Sequence, residues 1–285
     1  SCTTADTSIA AGEVLQIVTR FEGQDVQQLQ KGTATAKQVT VSFYVKGNAS
    51  ATYTCELIDY DNGRSIQQAF AVTTAWNRIE LTFAADTSDP FDDDNAGSLG
   101  LAFWLHGGST YTGGTFSSNA WKDTVDNTRL SDSQTSIFDA TSRTFFLTGV
   151  QMELGATATE FEHRSFGEEL ALCQRYYERI TSVGAGANYM TFVSGFNTST
   201  TVTQSTLAYV KKRTTPTIAF AAAAQFRITH VATATACSAI SASQIGDARA
   251  IVDGTVGSAA LTAGQGSAVG ANNNTTAYIE VISEL

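Results

Sequence analysis

The sequence predicts a mainly β protein, in which a jelly-roll β-sandwich is followed by one bridging helix and a smaller C-terminal β domain. Three observations support this prediction. Apolar and polar residues alternate in many short segments, turn-forming Gly, Asn and Asp separate those segments, and a single stretch has helical spacing. Apolar residues make up 42% of the 285-residue chain, enough for a sizeable core, whereas charged residues make up only 15%.

The first predicted domain, residues 1–163, contains several segments with a period of two. Successive side chains of a strand point to opposite faces, so this period is typical of half-buried antiparallel strands. Several such strands in succession predict a sandwich or jelly roll. The segments are VTVSFYVKG at 39–47, ATYTCELIDY at 51–60, NRIELTF at 77–83, SLGLAFWLHGG at 98–108 and TFFLTGVQMEL at 144–154.

The stretch SFGEELALCQRYYERI, residues 165–180, has helical spacing. Ser165 and Glu168 have the spacing of a capping box. We therefore predict a bridging helix over residues 164–182. Its apolar stripe packs either within the chain or around the symmetry axis of an oligomer. The apolar positions follow at steps of four and three and lie on one side of the helix: Phe166, Leu170, Cys173, Tyr177 and Ile180.

Alternation returns after the helix, so residues 183–285 are predicted to form the second β domain. Its clearest strand segments are TTVTQSTLAYV at 200–210, PTIAFAAAAQFRITHV at 216–231 and TTAYIEVISEL at 275–285. A stretch of small residues between the last two segments is predicted to be a loop region with short strands.

Composition excludes several classes of function. The net charge of −10 argues against nucleic acid as a partner, because duplex binding requires Lys and Arg to displace counterions. Membrane insertion is not expected, because the chain lacks the run of about 18–20 apolar residues that a membrane span needs. The four cysteines include no C-x-x-C pair. Either all of them are free buried thiols, or two of them form one long-range disulfide. Free thiols indicate assembly in a reducing cytoplasm.

Metal binding and catalysis have little support in the sequence. The acidic segment at 86–97 offers a calcium site formed by Asp89, Asp92 and Asp94, because Ca²⁺ prefers several oxygen ligands from a flexible loop. A solvated acidic loop is the alternative. No cofactor is expected, and without a catalytic motif we expect no enzymatic activity. The histidines lie far apart, without metal-binding spacing, at His106, His163 and His230.

The segment HGGSTYTGGTFSSNAWKD, residues 106–123, combines aromatic residues with Gly, Ser, Thr and Asn. Aromatic rings pack against the apolar face of a sugar, and amide and ammonium groups can bond its hydroxyls. The alternative is that the aromatic rings hold the loop on the sandwich. The first interpretation predicts a shallow glycan site formed by Tyr111, Phe116, Asn119, Trp121 and Lys122.

Three pieces of sequence resemble a module of bacteriophage virion proteins, especially tail-fibre and receptor-binding proteins. In that family a carbohydrate-binding-module-like jelly roll ends in V-Q-L-E-x-G and is followed by A-T-x-F-E and E-E-L-x-L-C-Q-R-Y-Y. Here Met152 stands in place of the family's Leu, and Glu160 in place of its Pro. The matching pieces are VQMELG at 150–155, ATEFE at 158–162 and EELALCQRYY at 168–177.

The resemblance implies a non-enzymatic protein of the virion, assembled in the bacterial host cytoplasm. Its expected partners are other virion proteins, further copies of itself in a homotrimer, and a host-surface polysaccharide. A capsid decoration, head-fibre or adaptor protein with a purely structural role is the main alternative, and a glycan-degrading spike is another. The resemblance also implies additional upstream strands in the jelly roll, which a preceding segment is expected to supply.

Overall fold

The computed structural model describes residues 1–6, 8–182, 186–231 and 233–285. Residues 7, 183–185 and 232, which fall in the two predicted β domains, lie outside the described residues. The chain divides into two compact units, Ser1–His163 with Leu285 and Arg164–Glu284. Antiparallel sheets build both units, which confirms the prediction of a mainly β, sandwich-type fold.

The first unit is a sandwich of two antiparallel sheets. The strands β1, β6, β3, β4 and β7 form a five-stranded sheet in that order, and β5, β2 and β8 form a three-stranded sheet. Its elements are β1 (Val14–Glu22), α1 (Gly23–Val26), β2 (Val39–Gly47), β3 (Ala51–Asp59), β4 (Arg64–Val72), β5 (Asn77–Phe83), β6 (Gly97–Gly107), β7 (Lys122–Asp123) and β8 (Phe145–Leu154).

The two sheets of the first unit enclose one hydrophobic core. Val41 and Phe43 of β2 are fully buried and belong to the same cluster as Leu101 and Phe103 of β6. The rings of Phe43 and Phe103 meet edge to face with centroids 4.9 Å apart, which is a favourable aromatic geometry. The alternating residues that predicted these strands therefore supply the inward faces of the sandwich.

A long connection between β6 and β8, residues 108–144, contributes the edge strand β7 and also covers part of the outer face of the five-stranded sheet. Ile58 of β3 and Trp104 of β6 alternate with core residues and so point away from the sandwich interior. Both are buried by Leu130 of the connection, with Tyr111 packed against the same cluster. The segment with the predicted glycan site thus lies on the sheet.

The second unit contains a seven-stranded sheet, in the order β14, β13, β17, β10, β11, β16 and β15, and a three-stranded sheet of β12, β18 and β9. Its core includes Phe226, Ile228, Val252 and Ile279. The elements are α2 (Phe166–Gln174), β9 (Tyr177–Thr181), β10 (Thr191–Asn197), β11 (Val202–Ala208), β12 (Thr217–Phe220), β13 (Phe226–His230), β14 (Thr233–Ala236), β15 (Ala239–Ser243), β16 (Arg249–Thr255), β17 (Gly266–Ala271) and β18 (Tyr278–Ile282).

The structure corrects the extent of the predicted helix. Helix α2 ends at Gln174, and Tyr177–Thr181 instead form β9, which pairs with Tyr278–Ile282 of β18. The five paired residues gain a ladder of main-chain hydrogen bonds, and Tyr, Ile and Thr fit a pleated strand better than a helix. Tyr177 and Ile180 are therefore strand residues. Within the described residues, neither α1 nor α2 has the length or hydropathy of a transmembrane helix.

Candidate functional site

The long connection is fastened to the five-stranded sheet by a buried charge, Glu56 of β3. Its carboxylate accepts hydrogen bonds from Trp104 Nε1 at 2.6 Å and from Gln67 Nε2 at 2.8 Å. Arg129 of the connection completes the cluster through two further bonds of 2.9 and 2.8 Å to the same carboxylate. A fully buried charge requires such partners, so this cluster fixes the position of the connection.

Arg129 and Tyr111 both pack against the indole of Trp104. The guanidinium carbon lies 4.6 Å from the centre of the Trp104 ring, and the Tyr111 ring centroid lies 5.1 Å from it. Burial opposes the charged form of Arg129, but the hydrogen bond and charge of Glu56 outweigh it and raise the pKa of Arg129. Tyr111, a predicted sugar contact, is thus partly used in packing.

Asn119 and Trp121 converge on Ala84, which follows β5. The indole N–H of Trp121 donates to the Ala84 carbonyl at 2.8 Å, and the Ala84 N–H donates to Oδ1 of Asn119 at 2.9 Å. Trp121 also packs against the core of the sandwich. The indole N–H of Trp121 and the amide oxygen of Asn119, both expected to bind a sugar, are therefore engaged within the chain.

Phe116 and Lys122 are both partly buried. Lys122 donates from Nζ to the carbonyl of Thr128 at 3.0 Å. Burial lowers the pKa of Lys122, and the negative charge of Glu56 opposes that shift. Glycan binding by this loop stays a prediction, while the contacts observed favour the alternative in which its aromatic residues hold it on the sandwich.

The acidic segment at 86–97 is organised around an internal ammonium group. Lys31 Nζ lies 2.6 Å from Asp59 Oδ2 and 3.3 Å from Asp86 Oδ2, and it donates to the carbonyls of Ser88 and Asp89 at 2.9 and 2.6 Å. The Lys31 side chain is only 4% exposed. Arg64 Nε lies 2.9 Å from Asp86 Oδ2, so Lys31 and Arg64 together supply the positive charge for this part of the fold.

The three aspartates proposed as calcium ligands do not converge. Asp89 contributes its carbonyl to Lys31, and the Asp94 carboxylate accepts the Ala96 N–H at 2.8 Å. The Asp92 N–H donates to the Asp61 carboxylate at 3.0 Å. Over the parts of the chain that are described, no three His, Cys, Asp or Glu side chains are arranged to hold a metal ion.

The predicted helix residues separate into two groups. Phe166, Leu170 and Cys173 lie on α2 and are exposed, and none of the nine helical residues is buried. Ile180 of β9 packs against the core of the second unit. The Tyr177 hydroxyl donates to Glu280 at 2.6 Å, and this bond to a carboxylate raises the pKa of Tyr177. The exposed first group is therefore accessible to another molecule.

All four cysteines are free thiols, at Cys2, Cys55, Cys173 and Cys237. Three are buried and Cys173 on α2 is exposed. Burial raises the pKa of Cys237 to about 11, which keeps that thiol protonated near neutral pH.

Sequence reasoning missed an open cavity of about 410 Å³ in the first unit. His106, at the end of β6, lines it together with Glu13 and Phe138. The spacing of the histidines gave no signal for this site, because its other residues come from the N-terminal segment and from the long connection. Comparisons with known proteins add no assignment: no protein-family model, curated protein or solved structure matches the chain.

Proposed function

We propose that this chain is a structural protein of a tailed-phage virion, a tail-fibre or receptor-binding component that attaches to a host-surface glycan. The proposal is supported by the three sequence pieces that resemble the phage module and by the antiparallel β-sandwich that carries the first of them. The proposed partners are other virion proteins and two further copies of the chain in a homotrimer. The proposed role is attachment without catalysis.

The observation that carries the assembly role is the exposure of α2. Both ends of this nine-residue helix are satisfied: Ser165 and Glu168 form a capping box, and Lys212 Nζ donates to the Gln174 carbonyl near the C-terminus. None of its side chains is buried within the chain. Helices shorter than about 12–15 residues are marginal in water unless an apolar face packs against something.

A second chain is the partner that this exposed helix fits best. Phe166, Leu170 and Cys173 follow at steps of four and three, the spacing of residues in a helix–helix seam. Equivalent helices around a threefold axis would cover these side chains. A helix contact of this kind can be shorter than two heptads when the β domain that follows the helix also contacts the other copies of the chain.

The alternative is a capsid decoration, head-fibre or adaptor protein without a sugar ligand. One observation favours it: the amide oxygen of Asn119, the indole N–H of Trp121 and the ammonium of Lys122 bond to the chain's own main chain. If attachment to a glycan is correct, a different surface must supply much of the binding.

Three measurements separate these functions. The native mass of the purified protein tests the homotrimer. An array of bacterial surface polysaccharides tests glycan attachment, and isolated capsids or tails test where the protein assembles. A trimer that binds polysaccharide supports the proposal, whereas binding to capsids with no response on the array supports the decoration protein. Release of reducing sugar from a bound polysaccharide would instead identify a degrading spike.

A further inference from the structure

We propose that an exposed row of aromatic residues on the first unit binds an acidic sugar of a host-surface glycan. This inference rests on the proposed glycan attachment and names a surface for it. The row lies on the outer face of the three-stranded sheet of β5, β2 and β8. Its members, called the aromatic row below, are Trp76, Lys46, Phe146 and Tyr44.

Strand pairing places these side chains on one surface. Val45 of β2 is fully buried in the core, so its neighbours Tyr44 and Lys46 point to the outer face. Lys46 is paired with Phe146 of β8, and on the other side of β2 Val45 is paired with the residue that follows Trp76. Trp76 and Phe146 therefore lie on either side of Lys46.

The three rings of the aromatic row are open to solvent. Trp76 and Phe146 are each 47% exposed, and Tyr44 is 38% exposed. The ring centroids of Trp76 and Phe146 lie 6.4 Å apart. Single exposed apolar residues are ordinary on a protein surface, whereas a contiguous group of them marks a place where another molecule binds.

The aromatic row holds a cation that has no carboxylate partner. The Lys46 ammonium lies 5.3 Å from the centre of each flanking ring, within the range at which a ring face attracts a cation. Among the described residues, no carboxylate forms an ion pair with it. Arg78, which is paired with Tyr44 across the sheet, is by contrast neutralised by Glu80 at 3.0 Å. The charge of Lys46 is thus left for an anion to pair with.

The turn that carries Trp76 is fixed by hydrogen bonds. The Gly47 N–H donates to the Thr73 carbonyl at 2.9 Å, which joins this turn to the end of β2. The Asn77 amide donates to the Thr73 hydroxyl and, at 3.2 Å, to the Ala75 carbonyl. The main chain at Trp76 is therefore held in place without a ligand, which lowers the entropy lost on binding.

The chemistry of the aromatic row fits an acidic pyranose such as a uronic acid. The apolar C–H face of a pyranose packs against aromatic rings, and its carboxylate pairs with an ammonium group. The Tyr44 hydroxyl forms no hydrogen bond with a described residue, so it can donate one to the same carboxylate. A neutral sugar would use the rings but leave the charge of Lys46 unpaired.

The acidic residue on the same face does not oppose this anion. Glu80 lies four residues from Trp76 along β5, about 13 Å at 3.3 Å per residue. That separation exceeds the Debye length of about 8 Å at physiological salt, and Arg78 neutralises Glu80. The local charge at Lys46 therefore decides which ligand binds, despite the negative net charge of the chain.

The test uses paired variants of Lys46 and Phe146. Lys46→Gln removes the charge, and Lys46→Arg keeps it. We expect Lys46→Gln to weaken the binding of an acidic glycoside roughly two- to fivefold, the worth of an exposed ion pair, and Lys46→Arg to retain most of it. Phe146→Leu should weaken acidic and neutral glycosides alike. The matched controls, at exposed positions outside the aromatic row, are Lys37→Gln and Phe196→Leu.

The probes are the methyl glycosides of glucuronic and galacturonic acid and those of glucose and galactose, which carry a hydroxymethyl group in place of the carboxylate. Binding to the full-length protein is measured by saturation-transfer NMR and calorimetry at low and high salt, after circular dichroism has established that each variant is folded. The wild type and both controls should prefer each acid to its neutral counterpart. Salt and Lys46→Gln should each reduce that preference. The same variants are compared on any polysaccharide that the array identifies.

Three results would overturn the inference. In the first, wild type, Lys46→Gln and Phe146→Leu bind a glycoside or polysaccharide equally well, in which case glycan attachment stands and the aromatic row is not its site. In the second, neutral glycosides bind as tightly as acidic ones. In the third, Phe146→Leu lowers the native mass, which would make the aromatic row a contact between copies of the chain. If no glycoside and no polysaccharide binds, the proposed glycan attachment falls together with the inference.

Discussion

The ammonium of Lys31 lies 2.6 Å from Oδ2 of Asp59, and the two side chains are 4% and 0% exposed. The same Asp59 carboxylate accepts the main-chain N–H groups of Asp61 and Asn62, each at 3.0 Å. One buried ion pair thus connects the segment after α1 with the turn between β3 and β4.

Replacing Lys31 with Met should destabilise the first unit strongly. The change leaves the Asp59 carboxylate buried without its cation and leaves Asp86 paired with Arg64 alone, and breaking a buried pair from one side costs about 3–5 kcal/mol. Urea denaturation followed by tryptophan fluorescence measures this, because all three tryptophans, Trp76, Trp104 and Trp121, lie in the first unit. The exposed Lys37→Met is the control and should stay within about 0.5 kcal/mol of wild type. Equal stabilities of the two variants would contradict the assigned role.

Acid should weaken the first unit through Asp86. Burial acts to raise its pKa, but the hydrogen bonds from Arg64 and the Ser88 N–H and the charge of Lys31 outweigh burial and hold the pKa below the usual 3.8. A lowered pKa contributes stability above the unfolded-state value and loses it as the pH falls below that value, because the unfolded chain binds the proton first. The free energy of unfolding of the wild type should therefore decline below pH 3.8, and less steeply in Asp86→Asn. The exposed Asp132→Asn should keep the wild-type slope.

The two leucines of α2 provide a matched pair of sites for testing the proposed trimer. At about 100° per residue, Leu170 and Leu172 point to opposite sides of the helix. Their exposures are similar, 43% and 49%, so Leu→Glu costs little within an isolated chain at either site. Leu170→Glu should reduce the native mass from trimer to monomer, and Leu172→Glu should leave the trimer intact. The reverse pattern would place the contact on the other side of α2.

Thiol reagents should distinguish Cys173 from the three buried cysteines. One thiol per chain should react rapidly in the native protein, and all four should react after unfolding in guanidinium. If α2 helices contact one another, Cys173 in the trimer should react more slowly than in monomeric Leu170→Glu. Equal rates in the two forms would show that Cys173 lies outside the subunit contact.

Trp121 tests the loop site that the sequence predicts. Its ring packs on the core and its N–H donates to Ala84, so Trp121→Ala should lower the free energy of unfolding by about 3 kcal/mol. Polysaccharide binding should then fall only as far as the folded fraction falls, measured by fluorescence in the same buffer. A fully folded Trp121→Ala protein that no longer binds polysaccharide would instead support the loop site.

The strands were predictable because one face of each places apolar residues in the core of the sandwich. In β2 and β6, alternation of apolar residues directly reflects a sheet with one side on the core. The prediction was wrong for the C-terminal half of the helix, for a different reason. Tyr177 and Ile180 continue the four-and-three spacing, but β18, their pairing partner, is about a hundred residues away, at Tyr278–Ile282. A local pattern carries no information about so distant a strand.

The contacts of the buried polar residues could not be predicted from the sequence either. Glu56 is bonded by Arg129, and Lys31 by Asp59 and Asp86, all far apart along the chain. His106 looked like an ordinary histidine at the end of a strand, and its unbonded Nε2 is visible only once the N-terminal segment is placed beside it. Such sites depend on loop positions, which have no periodicity to predict them.

The cation beside Asp59 and Asp86 is the Lys31 ammonium. Because it is covalently part of the chain, it cannot dissociate into the solvent. A coordinated ion leaves when its concentration drops or a chelator competes for it, whereas the local concentration of a tethered ammonium is fixed by the polypeptide itself. The acidic corner of the sandwich should therefore keep its shape in ion-poor water and in the presence of EDTA alike.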